Sequence, residues 1–221
     1  QNIMTGLLEL QKGDILYNGK SVKKIRSEFF NKIGVSFEHP NLYNKLTGYE
    51  NLKYYAGLYD VATNNRIELL HMVGLKEAAD KKASDYSKGM KQRVVFARAM
   101  LNNPEILFLD EPLSGLDPNT ASSIKDIIGS KKDDGCTIFL TTHNMYVAEE
   151  LCDTVAFIND GKIVAIDSPR NLKLQYGEKS VKVEYKKGDK VKSKILFLKK
   201  ENDREEFNSI VNYENIETIH S

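Results

Sequence analysis

Two short apolar runs, each leading into polar side chains, constrain the fold of this chain most. Residues 106–109 are Ile, Leu, Phe and Leu, and they run directly into Asp110 and Glu111. Residues 136–142 form a second such segment, which ends at His143. Continuous apolar runs are typical of strands buried on both faces of a parallel sheet. We therefore predict that both segments are fully buried strands whose polar ends share the carboxyl edge, where open α/β sheets bind ligands.

The residues between these runs favour an α/β fold. Asp117 and Pro118 are typical of a helix start, and Ala121, Ile124, Ile127 and Ile128 follow at helical spacing. Strand, helix and strand in succession indicate a mainly parallel sheet covered by helices. Residues 103–172 are therefore predicted to form the larger part of an α/β core.

Three further segments complete the predicted organisation. Residues 1–41 are predicted to be the N-terminal part of the core, with the end of a helix near residues 3–10, a hairpin at Asn18-Gly19 and a short strand before Glu38. Residues 42–102 have helical spacing and predict a helical subdomain. Residues 173–221 predict a small α+β extension, with a lysine-rich hairpin turning at Gly188-Asp189, a helix and a last strand.

Composition excludes few classes of function. The 221 residues carry a formal net charge of +1, which does not indicate a nucleic-acid partner. No apolar run approaches the roughly 20 residues that a membrane-spanning helix needs. Cys136 and Cys152 lack metal-type spacing, so we interpret them as reduced core thiols, as expected of a cytoplasmic protein.

Four short motifs occur in a fixed order within about 60 residues. They are YSKGM at 86–90, ILFLDEP at 106–112, SGLD at 114–117 and TTH at 141–143. Taken alone, an acid pair after a strand is often a helix cap beside a solvated acid, and a single histidine is often structural. Together, the motifs resemble the signature motif, Walker B strand, D-loop and H-loop of ABC-type ATPases, over roughly residues 5–170.

The resemblance implies ATP and Mg²⁺ as cofactors and assigns roles along the carboxyl edge. Asp110 matches the acid that holds Mg²⁺, usually through water. Glu111 matches the general base for hydrolysis, and His143 matches the histidine that contacts the γ-phosphate. Glu38 stands where the family usually has glutamine, and it is implied to contact both the metal and the nucleotide.

The resemblance also implies a second subunit. In the family, the signature motif closes over ATP held by the opposite subunit, so Ser87, Lys88 and Gly89 are implied nucleotide contacts of a head-to-tail homodimer. Lys88 replaces a glycine, and it either adds positive charge near the phosphate or points into solvent. Asp117 lies in the D-loop, which crosses to the partner and is also an implied nucleotide contact.

A membrane partner follows from the same resemblance. The acidic Glu38 followed by Pro, Leu and Tyr resembles ABC exporters of the bacitracin and lantibiotic type, which confer antibiotic resistance. Such a subunit sits in the cytoplasm on the inner face of the membrane, bound to an integral permease and not to nucleic acid. Residues 54–59 (YYAGLY) provide either exposed aromatics for that permease or ordinary core.

Two rival functions remain at this stage. A soluble ABC-type ATPase of DNA repair would need long heptad repeats, which the sequence lacks. A non-catalytic binding module is the other alternative, because the sequence contains no G-x-x-x-x-G-K-[ST] phosphate loop. In the family that loop precedes a helix like NIMTGLL at 2–8. We therefore expect that the chain is part of a longer protein and that, alone, it does not hydrolyse ATP.

Overall fold

The fold is described from a computed structural model of the chain. The structure describes residues 1–21, 23, 27–177, 180–187, 190–197, 200–213 and 215–220. These residues form two compact units, Gln1–Leu151 and Cys152–Ser221, and each is described by itself. The predicted boundaries at residues 41, 102 and 172 stay predictions.

The first unit contains both strands and helices. Its elements are β1 (Leu16–Tyr17), β2 (Lys20–Ser21), α1 (Ser27–Phe30), β3 (Ile33–Ser36), α2 (Gly48–Ala56), α3 (Arg66–Met72), α4 (Lys88–Arg98), β4 (Ile106–Asp110), α5 (Pro118–Asp133), β5 (Thr137–Thr141) and α6 (Met145–Leu151). Two short 3₁₀ turns lie between α3 and α4, at Lys76–Ala78 and Ala83–Asp85.

The predicted parallel sheet is present, with strand order β3–β4–β5. β4 lies in the middle, and its Leu107, Phe108 and Leu109 are at most 1% exposed. The prediction that the second strand is buried on both faces was wrong: β5 is an outer strand of this sheet, and its Phe139 is 40% exposed. An apolar run supplies side chains that can be buried, but burial also needs an element packed over each face.

The helical region packs on this sheet through α4. Val94, Val95 and Phe96 are at most 1% exposed, as are Leu52 of α2 and Leu70 of α3. The caps follow the sequence. Thr47 and Glu50 form a capping box at the start of α2, while Gly74 follows the end of α3 with a φ of +68°.

The N-terminal residues depart in part from the prediction. Residues 2–8 form consecutive hydrogen-bonded turns rather than the predicted helix end, with Thr5 N donating to Gln1 O at 3.0 Å. Leu7 and Leu8 are both exposed, so no packing face supports a helix there. The Asn18-Gly19 hairpin is confirmed, and both turn residues have positive φ, as a type I′ turn requires.

The described residues of the second unit form two antiparallel sheets and two helices. Its elements are β6 (Val155–Asn159), β7 (Lys162–Asp167), α7 (Pro169–Tyr176), β8 (Ser180–Lys187), β9 (Lys190–Phe197), α8 (Glu201–Tyr213) and β10 (Asn215–His220). β6 pairs with β7, and the other three strands are ordered β10–β8–β9.

The predicted hairpin, helix and last strand of the extension are confirmed. Val183 of β8, Leu196 of β9 and Ile210 of α8 form the centre of its small core. The predicted turn at Gly188-Asp189 lies outside the described residues. Across the part of the chain that the structure describes, no helix combines the length and apolar character that crossing a bilayer requires.

Candidate functional site at the carboxyl edge of the parallel sheet

Strand register brings the two acids and the histidine to one edge. Asp110 is the last residue of β4 and lies opposite Thr141, the last residue of β5. The Thr141 hydroxyl donates a hydrogen bond to Asp110 Oδ1. Glu111 follows β4 directly and His143 is two residues after the end of β5, so the predicted grouping of Asp110, Glu111 and His143 at this edge matches the structure.

Glu111 and His143 are in direct contact. Glu111 Oε1 accepts from the His143 backbone N–H at 2.6 Å and lies 2.8 Å from His143 Nδ1. A carboxylate can only accept, so Nδ1 carries the proton in this contact, and in the neutral ring Nε2 is left as an acceptor. The Glu111 side chain is 17% exposed, whereas that of His143 is 86% exposed. The base candidate is therefore sheltered, and the imidazole faces outward.

The backbone at Glu111 helps to aim its side chain. Glu111 has a φ of +45°, in the left-handed region that few non-glycine residues occupy. Its N–H donates to Thr141 O at 3.0 Å, which extends the β4–β5 pairing by one residue. Strained backbone of this kind is concentrated at functional sites. The turn carries the carboxylate away from the strand axis and towards His143.

The signature segment begins α4 as the sequence predicts. The Ser87 hydroxyl caps the helix by accepting from Met90 N at 3.2 Å. Gly89 lies close to the 114–117 loop, since a Cβ at this position would be 3.1 Å from Gly115 O. The side-chain carbons of Lys88 extend over Gly115, and a Cβ on that glycine would be 3.4 Å from Lys88 Cδ. Lys88 is exposed, and its two predicted roles both stay open.

Asp117 has its carboxylate engaged within its own chain. It caps α5, with Thr120 N donating to Oδ1 at 3.0 Å and Thr120 Oγ1 donating to Oδ2 at 2.7 Å. These hydrogen bonds to the charged form lower the pKa of Asp117 below its ordinary value. Its predicted capping role is confirmed, and its predicted nucleotide contact stays a prediction.

Glu38 lies just beyond β3, at the same edge of the sheet. Ser36 pairs with Leu109, so the segment after β3 runs beside the segment after β4. The Glu38 carboxylate lies 3.8 Å from His39 Nδ1, and its side chain is 47% exposed. Among the described residues, no hydrogen bond or ion pair joins it to Asp110. Its predicted metal and nucleotide contacts stay predictions.

Comparison with known proteins decides the family. The family model for ABC transporters matches residues 1–114. A fluoroquinolones export ATP-binding protein from Mycobacterium tuberculosis is 47% identical over 222 residues, covering 100% of this chain and 74% of that protein. The chain belongs to the ABC transporter family. The resemblance found from its four motifs is thus confirmed, and the role of an ATP-binding subunit is favoured over that of a soluble ABC-type ATPase.

Other ABC proteins support the same assignment. The lantibiotic transport ATP-binding protein SrtF from Streptococcus pyogenes is 36% identical over 162 residues, covering 73% of this chain and 69% of that protein. A dimeric ATP-binding cassette in a post-hydrolysis state, bound to ADP and Pi, superposes with a TM-score of 0.68 at 28% identity, covering 76% of this chain and 78% of that one. The predicted α/β ABC fold is therefore confirmed.

A group of exposed tyrosines lies on the helical region of this ABC chain. The ring centroids of Tyr43 and Tyr54 are 4.8 Å apart, and those of Tyr54 and Tyr55 are 5.5 Å apart. Tyr43 and Tyr54 are almost half exposed, whereas Tyr59 packs against the core. The Arg98 guanidinium stacks over Tyr55, 4.4 Å from its centroid. The YYAGLY segment thus contains both exposed aromatics and core.

Sequence reasoning missed three polar residues that support the ABC site. Thr141 and Thr142 contact the two acids, and the buried Gln92 of α4 donates to Phe37 O at 3.1 Å, next to Glu38. The two threonines precede His143 within the TTH motif, so their position was a usable signal. Gln92 gave no such signal, because its contact spans 55 residues of sequence.

Proposed function

We propose that this chain forms part of the ATP-hydrolysing subunit of an ABC exporter. The observation that carries the proposal is the Glu111–His143 pair beside Asp110, at the edge of a parallel sheet. ATPases need a carboxylate for the metal and a second group to position the attacking water. Adjacent acids that leave β4 in different directions can perform both tasks.

The donor set at Asp110 fits Mg²⁺. The described residues contain no group of three or more His, Cys, Asp or Glu side chains that would hold a metal by protein ligands alone. Mg²⁺ commonly takes one or two carboxylates and completes its octahedron with water and substrate phosphate. Thr141 engages only Asp110 Oδ1, so Oδ2 remains for the cation or its water. When bound, Mg²⁺ would neutralise charge on the phosphates.

The residues at the sheet edge then divide the work of hydrolysis. Asp110 fixes the cation from a rigid strand end. Glu111 accepts a proton from the attacking water through a free lone pair of its carboxylate. His143 keeps that carboxylate in place through its backbone N–H and Nδ1, and its exposed Nε2 faces the ligand side.

The start of α4 supplies the other half of a composite site in a head-to-tail homodimer. Ser87 contributes a hydroxyl, and Gly89 permits the close approach of backbone to a phosphate at a helix N-terminus. Lys88 lies over Gly115 of the 114–117 loop, which ends at Asp117. The dimeric cassette bound to ADP and Pi supports this arrangement, since its fold is similar to that of this chain.

The exposed tyrosines fit a permease partner at the inner face of the membrane. Tyr43, Tyr54 and Leu58 expose large side chains on one helical region, and aromatic residues are enriched at protein interfaces. The names of two relatives, for fluoroquinolone export and lantibiotic transport, support a drug or peptide antibiotic as the cargo.

Replacement of the base tests the proposal. In a form of the protein that carries a phosphate loop, Glu111→Gln keeps an acceptor for His143 but cannot take up a proton. We expect kcat to fall at least about 100-fold, while ATP still supports a dimer in size-exclusion chromatography. Glu105→Gln is the matched control, because Glu105 pairs with Lys32 at the other end of β4. Normal turnover by Glu111→Gln would contradict the assignment.

The 221 residues alone provide a second test. Without a phosphate-loop lysine they offer no cradle for the β- and γ-phosphates, so we expect no ATP turnover above the rate of the Glu111→Gln variant. A phosphate-release assay measures this directly, and robust turnover would contradict the expectation.

A further inference from the structure

Two consecutive threonines contact the two consecutive acids, one each. Thr141 Oγ1 donates to Asp110 Oδ1, and Thr142 Oγ1 donates to Glu111 Oε2 at 3.2 Å. The parallel register of β4 and β5 pairs each threonine with one acid, because Thr141 lies opposite Asp110. Neither contact is needed to hold β5 on β4, since the backbone pairing already does so.

The Glu111 carboxylate receives three donors from a two-residue segment. Oε1 accepts from the backbone N–H and from Nδ1 of His143, and Oε2 accepts from Thr142 Oγ1. A carboxylate offers about four acceptor positions. One position therefore remains open, on Oε2, for the proton of an attacking water.

Thr142 is itself held in place. Its Oγ1 accepts from Asn144 N at 3.1 Å. Asn144 in turn caps the start of α6, where its Oδ1 accepts from Tyr146 N at 3.0 Å. The Thr142 hydroxyl therefore accepts from Asn144 N and donates to Glu111 Oε2. Thr142 and Asn144 therefore connect the Glu111 carboxylate to the start of α6, so its orientation does not depend on a flexible side chain.

We propose that Thr142 is a positioning residue for Glu111. Thr142 fixes rotation of the Glu111 carboxylate, so that Oε1 stays on His143 and one acceptor position of Oε2 stays open. The hydroxyl touches neither the water nor the phosphate. This inference rests on the proposed ATPase function, but the contact it describes is testable without turnover.

The first test measures the tautomer of the His143 ring in the 221-residue chain. The chain has four histidines, so ¹⁵N NMR spectra resolve their rings, and His143→Gln assigns the signal. Spectra are recorded at about pH 8.5, where histidine rings are generally neutral. We expect the Nδ1–H tautomer in the unmodified chain and in Thr142→Ser, which keeps the hydroxyl. In Thr142→Val its population should fall by at least about half, because the carboxylate is free to rotate. An unchanged tautomer in Thr142→Val would overturn the proposal.

The second test separates positioning from stability in a form that carries a phosphate loop. Since displacement of a catalytic group by about 1 Å costs up to ~100-fold, Thr142→Val should lower kcat about 10- to 100-fold. Its KM for ATP should stay within about twofold, and Thr142→Ser should restore most of the activity. Thr137→Val, the same change at the other end of β5, is the matched control. A kcat for Thr142→Val equal to that control would also overturn the proposal.

The two tests distinguish this inference from the proposed function. If the unmodified form hydrolyses no ATP, the proposed function fails, and the tautomer comparison still decides whether Thr142 orients Glu111.

Discussion

Replacement of Gly34 by alanine should destabilise the protein more than its small size suggests. An added Cβ would lie 1.8 Å from the Ala99 carbonyl oxygen and 2.9 Å from the Ala99 carbonyl carbon. Real Cβ atoms essentially never approach another heavy atom to within 3.0 Å, so the contact with the Ala99 oxygen requires β3 or the end of α4 to move by more than about 1 Å. The obstacle is backbone at a helix end, which cannot turn away as a side chain can.

The cost should lie at or above the upper end of ordinary overpacking, which is about 1–3 kcal/mol. We expect Gly34→Ala to lose at least ~3 kcal/mol, a large part of the 5–15 kcal/mol that typically stabilises a domain. Urea unfolding followed by far-UV circular dichroism measures the change. Gly129→Ala in α5 is the matched control, because nothing lies within 4 Å of the added Cβ, and helix propensity predicts a gain of up to about 1 kcal/mol. If Gly34→Ala lost less than about 1 kcal/mol, the steric reasoning would be refuted.

Two further predictions concern polar side chains. Asn51 is fully buried, and its side chain accepts from Tyr43 N and donates to three carbonyl oxygens before and at the start of α2. Asn51→Leu should lower the free energy of unfolding, measured in urea, by at least ~2 kcal/mol, because the freed groups lose their partners. A loss smaller than that of the exposed cap change Asn65→Ala would contradict this. Asp117 has a lowered pKa in the folded state, so its contribution to stability is present above the unfolded pKa of about 3.9 and is lost as the pH falls through the lower folded pKa. Asp117→Asn keeps a cap but should reduce the fall in the urea unfolding midpoint between about pH 5 and pH 3. If the pH dependence of the midpoint did not change, the Thr120 hydrogen bonds would not be its cause.

The sequence predicted the elements of the ATPase core better than their burial. The apolar run at 106–109 became the central strand, and its Leu107 and Leu109 lie in one core cluster with side chains of α4 and α5. The similar run at 138–140 became an outer strand, with Phe139 partly exposed. Hydrophobic pattern reports what a strand can bury, whereas burial depends on elements elsewhere in the chain. The turn near residues 2–8 failed as a helix for the same reason, since helical spacing without a packing partner is too weak to fix a helix.

The candidate site was predictable where order in the sequence determines position. Asp110, Glu111 and His143 follow adjacent parallel strands, and the register of any such pair brings them together. The partners of these residues were not predictable to the same extent. Which oxygen of Glu111 meets Thr142, and which ring nitrogen of His143 meets Glu111, depends on the positive φ at Glu111 and on rotamers. The spacing of residues along the sequence predicts neither the φ of Glu111 nor the rotamers of these side chains.

The hydrogen bond from Gln92 to Phe37 O connects α4, which begins after Ser87, to the backbone beside Glu38. Gln92 is five residues after Ser87, so about 7.5 Å of helix separates the signature cap from the backbone beside Glu38. Ala99, which follows the other end of α4, lies close to Gly34 of β3, since a Cβ on that glycine would be 1.8 Å from Ala99 O. If the 37–38 segment moves, it must either break the hydrogen bond between Gln92 and Phe37 O or move α4 and its cap Ser87 with it. The helix start at Ser87 and the backbone beside Glu38 are therefore joined through one helix.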